Sequence, residues 1–459
     1  MLLRVPSLIE PMWYADEGIY TVVAKAMSEG RMLYAEVWDN KPPLLYIFYF
    51  LTQNIFGIKL LSIVFGIGAV YLFYQIAKKL FKKEISILIS TGMFVFLLGS
   101  PFIEGNIANA ENFMLLPILG AFFLLLKKNE LNIKIGVGSA ILFFIALLLK
   151  FVAVFDILTW VLFALLREIK QNGKRFQSDY NKSLGAFILT GVVLSIVLLL
   201  LLVLLGILPE FIDAVFLKNI SYVSEKNTAG VSNSLLIIKI FLLGIFCSVI
   251  FFFRKKIQNN FLFIFLWLGF SLFNVYFSER HFGHYLLLLA PVLCLVLGLV
   301  MDIAGKMKIF YAAIFVVVLL LVGISFEFFE RIGGYYKNYI VFISGKEKIE
   351  SYQAFFDSTT PRNYEIARIV KNLEANKDIL VWSDGGQIYT LLDKAPFGKY
   401  IVAYHMIFYN QAHAETKALL AKKKPDVIVE VTKIPSDLDI LGDYDEILRV
   451  DGVKIYERQ

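Results

Sequence analysis

Apolar positions in this chain fall into long uninterrupted blocks separated by short polar connections. The blocks lie at about 58–77, 85–100, 112–126, 135–149, 151–166, 184–206, 235–253, 261–277, 285–301 and 309–328. Each spans or nearly spans a hydrocarbon core of ~30 Å, so about ten transmembrane helices are expected. Several are shorter than ~20 residues, which calls for tilted or partly buried packing. Ahead of them, residues 17–28 set Ile19, Val22, Val23, Ala26 and Met27 on one helical face, a pattern suited to lying in the membrane interface. Trp13, Tyr14, Tyr34 and Trp38 flank it as expected interfacial anchors. A second helix is predicted from Lys41-Pro42-Pro43 to a break near Gly57, because proline fits the first helical turn.

Beyond residue 345 the pattern shortens. Helices are predicted over 363–375 and 412–423, and strands over 378–383, 400–404 and 426–431. A final hairpin is predicted over 447–450 and 454–457 around Asp451-Gly452. The pattern thus divides the chain into an N-terminal loop segment, 1–57, a helix bundle, 58–344, and a small α/β domain, 345–459. The fold class is a polytopic α-helical membrane protein with a small C-terminal α/β domain.

Composition agrees with this division. Hydrophobic residues make up 58% of the 459 and charged residues only 18%, which excludes a single soluble globule. Residues 345–459 hold 16 Lys and Arg against 18 Asp and Glu; the other 344 residues hold 29 against 20. The net +7 therefore belongs to the membrane part and is no sign of nucleic-acid binding. Connections at 78–83, 127–134, 167–182, 254–256 and 306–308 carry 17 cations, whereas the alternate set carries four: Lys150, Lys218, Lys226 and Arg280. By the positive-inside rule the first set is cytoplasmic. Residues 1–57 and the C-terminal domain then face outward from a cell membrane that the chain crosses many times.

The cysteines, Cys247 and Cys294, lie within apolar runs, which excludes a disulfide framework and a cysteine zinc site. None of the four histidines belongs to an HExxH motif, which excludes a zincin protease, and the C-terminal part has no GxGxxG or Walker loop, so a cytosolic nucleotide-binding role for it fails on both motif and side.

On the outward side, ionisable side chains are few: Asp16, Glu17, Asp39, Lys41, Glu104, Glu111, Lys150, Glu279, Arg280, His281 and His284. Charge at membrane depth is costly, so a set gathered on one face is a functional-site hypothesis. The carboxylates can act as general bases and the cations can hold a phosphate. Structural roles are open for each. Asp16 also fits a helix N-cap. Lys41 and Lys150 fit snorkelling lysines, and Lys41 beside a helix N-terminus fits an anion site. Glu111 fits a complement to its helix dipole. Arg280 and His284, four apart, share a face if the following helix extends back over them, and otherwise fit an interface anchor. His405 and His413 read as surface residues.

The stretch Tyr14-Ala15-Asp16-Glu17-Gly18-Ile19-Tyr20, followed by Trp38-Asp39-Asn40-Lys41-Pro42-Pro43, resembles the first external loop of the membrane-embedded GT-C glycosyltransferases. It is most similar to the branch of protein O-mannosyltransferases and aminoarabinose transferases of lipid A. Asn109-Ala110-Glu111-Asn112-Phe113, Leu149-Lys150-Phe151 and Arg280-His281-Phe282-Gly283-His284-Tyr285 resemble later outer loops in the same order. Such proteins begin with a membrane helix before the acidic loop, so the resemblance implies a first helix that this sequence lacks.

It further implies that Asp16 is the catalytic carboxylate, with Glu17 beside it and Glu111 as a second acidic partner. Lys41 and Arg280 would grip a lipid phosphate, with Lys150 and His284 as further phosphate-site residues. The implied reaction transfers a sugar from a polyprenyl-phosphate carrier, with inversion, to a protein, lipid or cell-wall glycan acceptor outside the cytoplasm. No separated DxD stands out, and neither a catalytic metal nor a cofactor is expected. The competing readings are a polytopic transporter or lipid flippase, which calls for ionisable groups near helix centres and paired broken helices, and a non-catalytic scaffold relative.

Overall fold

A computed structural model describes residues 2–127, 131–172, 178–219, 234–277, 280–303, 306–326, 328–373 and 377–459. Lys226 and Glu279, and residues 128–130 and 173–177 of the cationic connections, lie outside the described residues. Helices are numbered along the chain: α1 (Ala15–Ser28), α2 (Pro43–Thr52), α3 (Ile55–Leu80), α4 (Glu84–Gly99), α5 (Ala110–Lys127), α6 (Ile133–Leu149), α7 (Val154–Asn172), α8 (Ser178–Leu204), α9 (Leu208–Ile212) and α10 (Ser234–Phe253). They continue with α11 (Asn259–Val275), α12 (Leu286–Asp302), α13 (Lys306–Ser325), α14 (Ile332–Ile343), α15 (Ile349–Phe356), α16 (Thr360–Asn372), α17 (Gln387–Leu392), α18 (Ala403–Phe408) and α19 (Asn410–Lys422).

Among the described residues each of the ten apolar runs is helical over most of its length. Among the described residues six helices are long and apolar enough to cross a membrane: Ile55–Leu80, Ala110–Lys127, Asp179–Leu204, Leu236–Phe253, Gly283–Asp302 and Lys308–Ser325. Helices α4, α6 and α11 are apolar but shorter, and α7 carries Asp156, Arg167, Glu168 and Lys170. The chain is a membrane-embedded, polytopic helical protein.

Contacts divide it into two compact units. One comprises Met1–Val5, Leu61–Leu204 and Leu217–Ile332; the other comprises Pro6–Leu60, Leu205–Phe216 and Gly333–Gln459. Residues 6–60 and the C-terminal α/β part, separate in the sequence pattern, thus pack as one unit.

In the helical unit α6 packs on α5 and α8, α12 on α4, α5, α11 and α13, and α7 on α11. Protein buries 72% of the α5 span and 78% of the Gly283–Asp302 span, against 11% of the α8 span, 6% of the α10 span and 17% of the α13 span. Helices that are apolar all round and uncovered by protein require lipid around them. The α6–α8 contact depends on Gly136, where a β-carbon would stand 2.1 Å from the backbone oxygen of Ser183. Gly185, also helical, has open space at that position.

In the other unit four strands, β1 (Ile379–Trp382), β2 (Val427–Glu430), β3 (Tyr444–Val450) and β4 (Val453–Arg458), form a mixed sheet of order β1-β2-β4-β3. β1 and β2 are parallel, joined through α17–α19, as a parallel pair requires a long crossover. The β3–β4 hairpin turns at Asp451 and Gly452, both at positive φ as its tight turn demands.

Three expectations are corrected here. α1 does not lie in an interface. Ile19, Val22, Val23 and Ala26 are buried against α2 and α17, because this face finds protein partners in its own unit. Tyr34 and Trp38 are likewise buried in protein. Residues 400–404 are not a strand: Tyr400 makes a single bridge to Trp38, and α18 begins at Ala403.

Replacing Gly136 with Ala should lower stability by about 1–3 kcal/mol, the usual range for overpacking against groups that cannot move, while Gly185→Ala should be close to neutral. Thermal unfolding of the detergent-solubilised variants measures both, and equal midpoints would contradict the packing described.

Candidate functional site

The α/β unit holds the first set of sequence-predicted residues. Asp16 lies in the first turn of α1, half-buried, and its Oδ2 accepts a hydrogen bond from the Tyr20 hydroxyl at 3.3 Å. The N-cap is Tyr14, whose side chain makes no capping bond, so the capping role for Asp16 is overturned. Its carboxylate instead complements the positive end of the helix from inside the first turn. Gly18 lets this turn approach the backbone of Gly386 and Gln387, where a β-carbon would stand 2.8 Å from each. Thr390 Oγ1 donates to the Gly18 carbonyl at 3.1 Å and completes the contact.

Glu17 points elsewhere. It is buried and pairs with Lys59 Nζ at 3.0 Å. Lys59 also pairs with Glu10 at 2.8 Å, and Glu10 in turn accepts from the Tyr335 hydroxyl and from Trp13 Nε1. Neither Lys59 nor Glu10 was among the candidates. The signal was present: Lys59 is a cation inside an otherwise apolar run, a position that demands a partner.

Lys41 precedes the N-terminus of α2, with Pro42 as N-cap and Pro43 as first helical residue. The loop that carries it is pinned. The Lys41 amide donates to the Tyr46 hydroxyl, which donates to Asp39 Oδ2 at 2.7 Å; the Tyr34 hydroxyl donates to the Lys41 carbonyl at 2.8 Å. Lys41 Nζ reaches Asn40 Oδ1 at 2.8 Å. Upstream, the Trp38 amide donates to the Lys399 carbonyl, and the Trp38 ring meets His405 edge-on at 4.7 Å.

His405 is therefore not a surface residue. It is buried, and burial together with the Lys41 cation pushes its imidazole down to about 3. His413 is half-buried and bonds Asp437 at 2.7 Å.

The helical unit holds the second set. Glu111, buried in the first turn of α5, forms an ion pair with Lys150, the residue that ends α6. Lys150 also sits over the Tyr285 ring at 4.4 Å. His284 Nδ1 lies 2.8 Å from Glu104 Oε2, and the Glu111, Lys150 and His284 charges act on one another. Four ionisable groups from three segments distant in sequence thus converge. Lys150 is engaged with Glu111 and an aromatic face, not extended along lipid, and Glu111 has a specific counter-charge beyond its helix dipole.

Arg280 is half-buried and lies outside any helix. The helix is preceded by a 3-10 turn, Gly283–Tyr285, so Arg280 and His284 share no helical face. Glycine at 283 and the turn it opens break the helix before it reaches Arg280. His281 packs edge-on against Phe326 at 5.1 Å. Among the described residues no group of three or more His, Cys, Asp or Glu side chains is arranged around a common metal position.

Comparison with known protein families found no match, and no curated protein matched the sequence.

Two expectations follow from this geometry. Lys59→Met leaves Glu10 and Glu17 buried without their counter-charge and should cost about 3–5 kcal/mol. Adding Glu10→Gln and Glu17→Gln should restore much of the loss, as read from thermal unfolding in detergent. His405 binds its proton far more weakly folded than unfolded, where its value is near 6.5. Its contribution to stability is full above about 6.5 and declines as pH falls toward about 3, by ~1.4 kcal/mol per pH unit. His405→Gln should flatten the acid limb of a stability–pH curve over that window; an unchanged slope would contradict the burial of a neutral imidazole.

Proposed function

We propose that this protein is an integral-membrane glycosyltransferase of GT-C-like fold. It moves a sugar from a polyprenyl-phosphate donor to an acceptor outside the cytoplasm, with inversion at the anomeric carbon. The observation that carries the reading is the convergence of Glu111, Lys150 and His284, drawn from three separate sequence motifs, around mutually compensating charges. Placement of ionisable groups along the helices also supports it. Buried Glu111 and Asp156 lie in the first turns of their helices, and not at the helix centres a transporter would use.

In this reading Asp16, half-exposed in the first turn of α1, takes the proton of the acceptor hydroxyl as its oxygen attacks the anomeric carbon. The bond from that carbon to the phosphate oxygen breaks, and the polyprenyl phosphate leaves as an anion. A cation at the leaving phosphate stabilises the charge gathering there, the role the family resemblance implies for Lys41 and for Arg280, and inversion requires no covalent carboxylate intermediate. The resemblance implies a phosphate-site role for Lys150 and His284 as well, with Glu111 holding Lys150 in place. Glu17, engaged by Lys59, supports the turn that carries Asp16. The alternation of loop charge assigns the N-terminal loop and the α/β part to the extracytoplasmic side. Protein, lipid and cell-wall glycan remain the candidate acceptors, and the reaction uses no cofactor beyond the donor lipid.

The test is transfer by the protein in lipid nanodiscs supplied with polyprenyl-phosphate sugars and a hydroxyl acceptor. Asp16→Asn should retain its unfolding midpoint and lose about 10²–10⁴-fold in turnover, the usual contribution of a general base. Lys41→Ala and Arg280→Ala should raise the donor concentration needed for half-maximal rate. Near-normal turnover in Asp16→Asn would remove Asp16 as base, and donor movement across the bilayer without transfer would favour a flippase.

A further inference from the structure

The α/β unit contains a cavity of about 370 Å³ that the proposed transfer reaction does not use. Its volume falls at the small end of ligand sites and suits one or two pyranose rings. The floor is apolar, made by Leu380, Met406, Leu419 and Leu420, and the half-buried ring of Phe397 forms part of the wall. Around this apolar surface stand two cations, Arg31 and Lys399, and two carboxylates, Glu36 and Glu415.

Three features decide what such a cavity accepts. Its rim is balanced in charge, so an anion such as a phosphate gains nothing from the cations that it does not lose to the carboxylates. The rim offers strong donors and strong acceptors side by side, the combination that satisfies hydroxyl groups, each of which both donates and accepts. The apolar floor and the Phe397 ring match the C–H faces that a pyranose presents between its hydroxyl edges.

The polar groups are also held in advance of any ligand. Arg31 Nη1 donates to the Pro396 carbonyl at 2.6 Å and the Gly398 carbonyl at 3.4 Å. Glu36 accepts from the Met32 amide at 2.6 Å. Glu415 accepts from the Tyr400 hydroxyl at 2.8 Å and from Gln411 at 2.8 Å. Side chains fixed in this way lose little freedom when a ligand arrives, which favours binding of a small polar molecule.

We propose that this cavity is a saccharide-binding site, taking a neutral pyranose whose apolar face rests on Phe397 and whose hydroxyls bond Glu36, Glu415 and Lys399. The site does not depend on the transferase reading, since it includes none of that reaction's residues. Its wall is nonetheless continuous with the loop carrying Lys41. Lys399 accepts from the Trp38 amide, and Tyr400 bridges Trp38 three residues before Lys41.

The experiment is saturation-transfer difference NMR on the full chain in lipid nanodiscs, free of glycoside detergent, which would itself compete. The probes are the methyl glycosides of glucose, galactose, mannose and N-acetylglucosamine. At least one should receive saturation at its ring protons. Phe397→Ala should abolish the signal, and Glu36→Gln, on an exposed side chain that leaves folding intact, should raise the dissociation constant about tenfold. Asp16→Asn should bind as the unaltered protein does. No saturation of any of the four probes, or signals unchanged in both cavity variants, overturns the site. Loss of transfer in Asp16→Asn with binding retained separates this site from the reaction.

Discussion

A charge removed from water must be given another charge, and this constraint shapes both units of the protein. Lys59 and its two carboxylates, Glu10 and Glu17, are almost completely buried. Isolated, any one of them would carry a desolvation penalty of several kcal/mol. Together with the Tyr335 hydroxyl they tie α1, the start of α3, α14 and the segment before α1 into one unit. Buried pairs add little net stability over a well-packed apolar alternative, but they are demanding about partners.

The same constraint acts on Glu111 and Lys150. Glu111 is buried where α5 begins and Lys150 is part-buried where α6 ends, so the turns at these helix ends must bring them together. Glu104 joins from the loop that leads into α5, and His284 from the turn before α12. What results is a polar cluster carried by helix ends whose neighbouring turns are apolar. Such a cluster can be held rigidly because close-packed helices fix the positions of its backbone.

Elsewhere small residues decide how near two segments come. Gly18 and Gly386 allow α1 to meet the loop before α17 at backbone distance, and the carboxylate of Asp16 lies half a turn away on the same helix. The local signal was a glycine following an acidic pair. Its meaning depended on a partner more than 360 residues later, which no local pattern could supply. The histidine at 405 illustrates the same limit. His405 stands alone among the apolar residues of 400–409, which do not name its partner, and it is the Trp38 ring, more than 360 residues earlier in the chain, that meets it edge-on.

The sequence by itself determined the helical membrane character, the approximate positions of the helices, the C-terminal hairpin and the identity of the ionisable minority, because long apolar runs and tight turns are written in contiguous residues. It also held Lys59 in plain view as a cation within an apolar run. Only the tertiary structure decided that α1 is covered by protein, that Glu17 answers to Lys59 while Asp16 stays accessible, and that Lys150 meets Glu111. Ion pairing and close packing join residues far apart in the chain, and a one-dimensional pattern carries the demand for a partner without naming which one meets it.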